Sequence, residues 1–463
     1  MSLVTDSPVH SSSSGDDFAA YLDAELETGS SDSLGDEEVE ANNELEEDVE
    51  DDDDHESNRT KRLKVEKVQH VLDPQGSTSQ VLMEKNIEVS VEQDICTHPG
   101  SYKNLCMICG KELDVESGVS VGYIQQGLRL GNDEIVRIRN TDMKNLLRHK
   151  KLYLVLDLDH TLLNSTHLMD LTLEEEYLKG QTDSFQDIPK GSLFRLDFMH
   201  MMTKLRPFVR TFLKEASEMF DMYIYTMGDR PYALEMAKLL DPRGEYFHAR
   251  VISRDDGTQK HQKGLDVVLG EESAVLILDD TENAWAKHRD NLILMERYHF
   301  FASSCRQFGY NCKSLSQLKS DESETEGALS SVLRALRQIH HMFFDELDGN
   351  LDNRDVRQVL KTVRKEVLKG CKIVFSHVFP TRIQADSHPL WIMAEQLGAT
   401  CLREVDPSVT HVVSMDAGTE KSRWAAKEKK FLVHPRWIEA TNYLWQKQPE
   451  ENFPVAGGAT DPQ

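Results

Sequence analysis

At 463 residues and 39% hydrophobic content, the chain has the length and apolar material for two or three separately packed domains. Its formal charge of −27 is concentrated at one end: residues 1–56 hold 21 Asp and Glu and no Lys or Arg, leaving 59 acids against 53 bases, or −6, over the other 407 residues. No apolar stretch reaches membrane-spanning length, no basic face with interleaved aromatics stands out, and the seven cysteines are an odd number, so neither a membrane span, direct nucleic-acid binding nor a disulfide framework is expected.

Residues 1–84 read as a disordered acidic tail, because a Ser-rich start and the run Asp51–Asp54 repel one another and offer nothing to bury. Within it, Phe18, Tyr21, Leu22 and Leu26 are spaced like one face of a helix that folds on a partner, against the plainer reading of scattered apolar residues in a solubilising tail. Arg59-Thr60-Lys61-Arg62-Leu63-Lys64 puts four cations in six residues and reads as a nuclear import signal. The polar N-terminus lacks the pattern of a signal peptide, so the expected location is the nucleus.

Residues 85–150 form a small Cys/His-containing segment. Cys96, His98, Cys106 and Cys109 supply four soft or borderline ligands within fourteen residues, and Cys-x-x-Cys followed by Gly110 is a common metal knuckle. A structural Zn2+ is one reading; four reduced, unligated side chains are the other.

From 151 to 317 apolar strand-like runs alternate with helical ones: Leu152–Leu156, a helix over Val209–Met219, Met222–Thr226, a helix over Tyr232–Leu240, and Ala274–Leu278. That alternation predicts a parallel sheet flanked by helices, an α/β fold. At the end of the first run stand Asp157 and Asp159, two residues apart; at the end of the last stand Asp279 and Asp280. Open parallel sheets place ligands beyond the C-terminal ends of their strands, and carboxylates crowded there require a cation or a shared proton. The expectation is a Mg2+ site, with Thr226 ending a third strand and Lys263 ahead of the fourth to grip phosphoryl oxygens. Between Asn164 and Thr203 an insertion with a strand-like Leu193–Phe198 is expected to wall the cleft. His160 is read as a packing or surface residue, and the Thr161 hydroxyl as satisfying the turn after the strand.

The ordered set D-x-D-x-T, Thr, Lys and D-D resembles the haloacid dehalogenase superfamily of phosphotransferases. Lys204-Leu205-Arg206-Pro207-Phe208, Tyr225-Thr226-Met227-Gly228 and Asp279-Asp280-Thr281-Glu282-Asn283-Ala284-Trp285 are similar to the RNA polymerase II C-terminal-domain phosphatases of the TFIIF-associating kind, over about residues 150–315. That resemblance implies Asp157 as nucleophile forming an aspartyl-phosphate and Asp159 as general acid and base. Thr226 and Lys263 would bind phosphate, and Arg254 would contact phosphate or substrate, a surface salt bridge being its alternative. It also implies Mg2+ held by the Asp157 side chain, the Asp159 backbone carbonyl and Asp280, with Asp279 in support. The implied partners are the phosphorylated C-terminal repeats of RNA polymerase II and TFIIF, and a Cys/His cluster precedes the catalytic domain in that family too.

Residues 318–368 read as a linker, Ser320–Ala328, followed by helices. From 369 to 450 the order is strand (Lys372–Phe375), helix (Pro389–Leu397), strands (Thr400–Val405 and Thr410–Ser414), helix (Glu420–Glu428), strand (Phe431–Val433), and a last helix holding Trp437; residues 451–463 are a flexible C-terminus. This unit resembles a BRCT domain. Ser376 and Lys421 match the phosphate-binding positions of phosphopeptide-reading members, but His377 stands where those have glycine. One BRCT unit after the catalytic domain is similar to the plant C-terminal-domain phosphatase-like group. The function expected is a magnesium-dependent protein-serine/threonine phosphatase acting in transcription, the alternatives being a phosphatase for another phosphoprotein or a phosphopeptide-binding scaffold.

Overall fold

The computed structural model describes residues 96–114, 118–184, 188, 190–346, 351, 354–380 and 384–456. The acidic tail, its Phe18–Leu26 face, the basic cluster Arg59–Lys64 and most of the C-terminal segment lie outside the described residues.

Four very short strands come first: β1 (Gly100–Tyr102), β2 (Leu105–Cys106), β3 (Val119–Ser120) and β4 (Leu128–Leu130), in the order β2-β1-β4-β3. Helix α1 (Asn132–Arg148) leads into β5 (Leu152–Leu156), which is buried at all five positions. An uninterrupted apolar run of this kind has no solvent face, and it occupies the centre of a five-stranded parallel sheet. The other strands are β9 (Phe220–Tyr225), β10 (Val251–Ile252), β11 (Val275–Asp279) and β12 (Leu292–Leu294), in the order β10-β9-β5-β11-β12. The helices α2 (Val209–Ala216) and α3 (Arg230–Leu240) connect into β9 and β10, each burying one face. All five elements expected from the alternation form, Leu152–Leu156 with the same ends and the others shifted by at most three residues.

The insertion after β5 folds as an antiparallel sheet, β6 (Leu163–His167), β8 (Met201–Leu205) and β7 (Leu193–Leu196), with β8 in the middle. Helix α4 (Ala302–Gln307) follows the parallel sheet.

Residues 320–328 behave differently from a free linker. Lys204 pairs with Asp321 at 3.0 Å, and the fully buried Arg206 guanidinium grips Glu322 through two contacts of 2.9 and 2.7 Å. An acidic stretch reads as solvated until its counter-ions, more than a hundred residues away, are brought against it. The helices beyond it, α5 (Ala328–His341) and α6 (Val356–Glu366), bury apolar faces in the main core.

The C-terminal unit is a parallel sheet β14-β13-β15-β16, with β13 (Lys372–Ser376), β14 (Thr400–Leu402), β15 (His411–Ser414) and β16 (Phe431–Val433). It is covered by α7 (Pro389–Gln396), α8 (Glu420–Lys427) and α9 (Arg436–Leu444). Trp437 is completely buried, stacks on His411 at 4.6 Å and donates its indole N–H to Gln448 O. Gly398 sits at φ +95° with the Lys365 carbonyl oxygen 1.8 Å from where a Cβ would be, so only glycine fits this turn. Leu444 and Trp445 reach back onto the main core, and Arg364 donates to Asn442 at 2.6 Å, tying this unit to α6. Among the described residues no helix is long and apolar enough to cross a membrane.

Candidate active site

The site is built at the C-terminal edge of the parallel sheet by strand adjacency. Leu156 of β5 is in register with Leu278 of β11, so the residues that follow, Asp157 and Asp279-Asp280, emerge side by side. Asp157 N donates to Leu278 O at 2.9 Å, which fixes the first carboxylate against the second strand. The carboxylates of Asp157, Asp279 and Asp280 each offer an oxygen within 4.8 Å of the others.

Lys263 enters this group as a buried ammonium, 2.5 Å from Asp157 Oδ1 and 2.6 Å from Asp279 Oδ2, with the rings of Tyr225 and Trp285 within 6 Å of it. Asp279 also accepts from Trp285 Nε1 at 2.8 Å and from the Thr281 backbone at 2.8 Å. Asp280 is paired with Arg297 at 2.6 Å. Burial pushes the Asp157 carboxyl well above the usual range; the charge of Asp279 adds to that push and Lys263 opposes it. Burial raises Asp279 as well, again with Lys263 in opposition. Burial pulls Lys263 down, but the two aspartates more than offset it and its ammonium is held above the ordinary range. Three clustered carboxylates face two cations, Lys263 and Arg297, so the group carries surplus negative charge. Hard oxygen donors with excess charge at one sheet edge fit a small divalent cation.

Thr226 follows β9, the neighbour of β5 on its other side, and is almost fully buried with its Oγ1 accepting from Gly228 N at 3.0 Å. Arg254 follows β10, one strand further out, and its side chain is exposed. The Asp159 side chain is outside the carboxylate cluster: Tyr232 Oη donates to its Oδ1 at 2.5 Å, and the same hydroxyl contacts Ser165 Oγ at 3.0 Å.

Tyr232 was not singled out in the sequence. The signal was local: Asp229 caps α3 by accepting from Tyr232 N at 2.8 Å, and Pro231 stands in the first turn. That capped start sets the ring in the first turn of a helix beginning where the sheet ends. Arg297 had no such signal, because only folding brings it to Asp280. We expect Tyr232→Phe to lower kcat by about tenfold with little change in KM, since one hydrogen bond that orients Asp159 is lost; steady-state kinetics checks this.

His160 packs, as its sequence context implied: it is buried at φ +61° against Phe308 and His299. Thr161 differs from expectation. Its Oγ1 is buried without a hydrogen-bond partner among the described residues, because the Leu162 and Leu163 amides close the turn onto Leu158 O without it. Its carbonyl instead accepts from Arg206 at 3.0 Å.

Two other predicted groups are separate from this site. Cys96, His98, Cys106 and Cys109 do converge, with all four ligand atoms within 4.8 Å of one another. Ser376 Oγ lies 2.8 Å from Thr419 Oγ1, the N-cap of the helix that carries Lys421, and Lys421 Nζ donates to Arg403 O at 2.5 Å.

A parallel sheet presenting such a carboxylate–lysine cluster defines a haloacid-dehalogenase-type fold, and residues 152–321 match the family described as NLI interacting factor-like phosphatase. Residues 363–441 match the BRCA1 C Terminus (BRCT) domain. The chain belongs to the family of RNA polymerase II C-terminal-domain phosphatases. It is 61% identical over 456 residues to RNA polymerase II C-terminal domain phosphatase-like 4 of Arabidopsis thaliana, covering 98% of this chain and 97% of that one. It is 43% identical over 330 residues to phosphatase-like 3 of the same plant, covering 69% of this chain and 26% of the relative. The solved structure of Fcp1, an RNA polymerase II CTD phosphatase, superposes with a TM-score of 0.54 at 24% identity, covering 69% of this chain and all of the other, which shows the shared fold.

Proposed function

We propose that the chain is a magnesium-dependent protein-serine/threonine phosphatase that removes phosphate from the C-terminal repeats of RNA polymerase II, and thereby acts in transcription. The observation that carries this reading is the convergence of Asp157, Lys263 and Asp279 within salt-bridge distance at one sheet edge.

With Lys263 holding Oδ1, the Asp157 Oδ2 oxygen attacks phosphorus, forming the P–O bond of an aspartyl-phosphate as the P–O bond to the serine or threonine oxygen breaks. Asp159, steadied by Tyr232, gives its proton to the departing oxygen. A water then attacks the same phosphorus, Asp159 takes its proton, and the Asp157–phosphorus bond breaks to release phosphate and restore the carboxylate. Lys263, Thr226 and Arg254 receive phosphoryl oxygens. The Asp157 side chain, the Asp159 carbonyl and Asp280, with Asp279 in support, would hold Mg2+, which would supply positive charge against the nucleophile's carboxylate and the phosphoryl group. The antiparallel sheet β6-β8-β7 borders the Asp159–Tyr232 pair through Ser165 of β6.

The polymerase as substrate is supported by the relatives' names and by the arrangement of a phosphatase domain followed by one BRCT domain. TFIIF belongs to the same reading as a partner, by resemblance, and pull-down with purified TFIIF reads it out. Nuclear location rests on that substrate and on Lys61, Arg62 and Lys64; a fluorescent fusion with alanine at all three should stay in the cytoplasm.

The deciding experiment offers synthetic repeat peptides, each phosphorylated at one serine, beside p-nitrophenyl phosphate. Phosphate release from at least one peptide, abolished by EDTA and restored by Mg2+, is expected. Hydrolysis of the small ester with no peptide turned over would sink the polymerase assignment, and activity that survives EDTA would sink the metal.

A further inference from the structure

We propose that Cys96, His98, Cys106 and Cys109 hold one structural zinc ion, and that the ribbon it pins braces the turn behind Lys263. The inference stands apart from the phosphatase reading, since none of these side chains belongs to the site at the sheet edge.

The four donors come from two strands of chain that meet in space. Cys96 Sγ is 3.7 Å from Cys106 Sγ, and Cys109 Sγ is 3.4 Å from His98 Nδ1. A tetrahedral zinc with bonds of about 2.3 Å to sulfur and 2.0–2.1 Å to nitrogen sets sulfur–sulfur edges of about 3.8 Å and sulfur–nitrogen edges of about 3.5 Å. The two separations sit at those values, and all four atoms fall within 4.8 Å of each other. Every cysteine here is a free thiol.

The backbone around the second pair is the turn that such a site needs. Met107 N donates to Gly100 O and Gly110 N to Cys106 O, both at 3.0 Å, and Cys106 N to Lys111 O at 2.8 Å. Gly110 takes φ +71° with no neighbour within 4 Å of a Cβ, so it is required by its conformation rather than by crowding. On the other pair, His98 adopts φ +49°, in the left-handed region.

Ordinary packing does not explain how the Cys/His half of this ribbon stays folded. Its strands are two or three residues long, and in residues 96–114 the only buried hydrophobic side chain is Cys106 itself, while Leu105, Met107 and Ile108 are more than half exposed. Residues 96–114 thus have no core of their own, Val121, Tyr123 and Leu130 further along the ribbon packing against the main core instead, and four ligands to one ion supply their staple.

The ribbon and the helix it leads into touch the loop that carries Lys263. Tyr123 Oη donates to Val267 O at 2.8 Å, and Arg139 Nη2 donates to Leu265 O at 2.7 Å and Val268 O at 2.9 Å. Arg230 Nη2 donates to Tyr123 O at 3.3 Å. Residues 265–268 are thus held from outside by Tyr123 and Arg139, two to five residues after the lysine that grips the nucleophile.

The test uses the full-length protein, desalted and assayed for bound metal by inductively coupled plasma mass spectrometry. One zinc per chain is expected. Cobalt exchanged into the protein should give the intense visible d–d bands and the thiolate charge-transfer absorption of a tetrahedral Cys3His site. Cys109→Ser, at an exposed ligand, should lose both signals, while His98→Cys should keep the metal and shift the cobalt bands toward those of a four-thiolate site. Hydrogen exchange of residues 119–130 and 263–268 should rise together when zinc is stripped. The Asp157→Asn protein should bind the same zinc, which separates this inference from the phosphatase assignment. Wild-type protein holding no zinc after expression in zinc-supplemented medium, with thiols that react at the same rate with and without added Zn2+, would overturn the site. Zinc bound, but exchange at residues 263–268 unchanged on its removal, would overturn the bracing.

Discussion

Asp157→Asn should abolish turnover of both p-nitrophenyl phosphate and phosphopeptide, by on the order of 10^4-fold or more, because an amide has no anionic oxygen with which to attack phosphorus. The same substitution should leave the melting temperature unchanged or slightly higher. Asp157 is almost fully buried beside Asp279 and Asp280, so its charged form is opposed by burial and by its neighbours; an isosteric amide removes that opposition while Lys263 keeps its contact with Asp279. Loss of activity without loss of stability is therefore the signature of a nucleophile rather than of a structural ion pair. A variant retaining a tenth of wild-type activity would move the nucleophile elsewhere. A variant that unfolds would show that the Lys263–Asp157 pair holds the sheet edge together.

The second large effect is expected on stability. Arg206→Met should cost about 3–5 kcal/mol, a drop in melting temperature on the order of 10 °C, because it leaves Glu322 unpaired in a poorly solvated position. The Arg206 guanidinium is 0% exposed, grips Glu322 through two bonds, and donates to the carbonyls of His160 at 3.3 Å and Thr161 at 3.0 Å. It also lies 5.3 Å from the Tyr298 ring centroid, whose hydroxyl in turn donates to Asp321 at 2.8 Å. One side chain thus ties the turn after Asp157 and Asp159 to the segment that leads into α5. Thermal unfolding of Arg206→Met, Glu322→Gln and the double variant checks this. The double variant should be less destabilised than the sum of the singles, since removing both partners leaves no buried orphan charge. Additive costs would mean that the pair contributes nothing as a pair.

Much of the carboxylate-bearing sheet edge could be read from residue order alone. A buried parallel strand is an unbroken apolar run, so Leu152–Leu156 and Val275–Leu278 identified themselves, and whatever follows such a run stands at the ligand-binding edge of the sheet. Asp157, Asp159, Asp279, Asp280 and Thr226 were placed that way. The BRCT unit was legible for the same reason, its strands and helices falling within one to three residues of expectation.

What sequence could not supply were partners brought together by folding across long separations. Arg297 reaches Asp280, Tyr232 reaches Asp159 from 73 residues away, and Glu322 reaches Arg206 from 116 residues away. The acidic stretch around Glu322 looks solvated in isolation, and only the buried guanidinium opposite turns it into an anchor. Ser376 and Lys421 were matched by position alone, and only the structure shows their neighbours, Thr419 Oγ1 and the Arg403 carbonyl. Strand identity depends on local hydrophobicity, which a sequence displays directly. The pairing of charges depends on which surfaces the core forces together, and that was decided by tertiary packing.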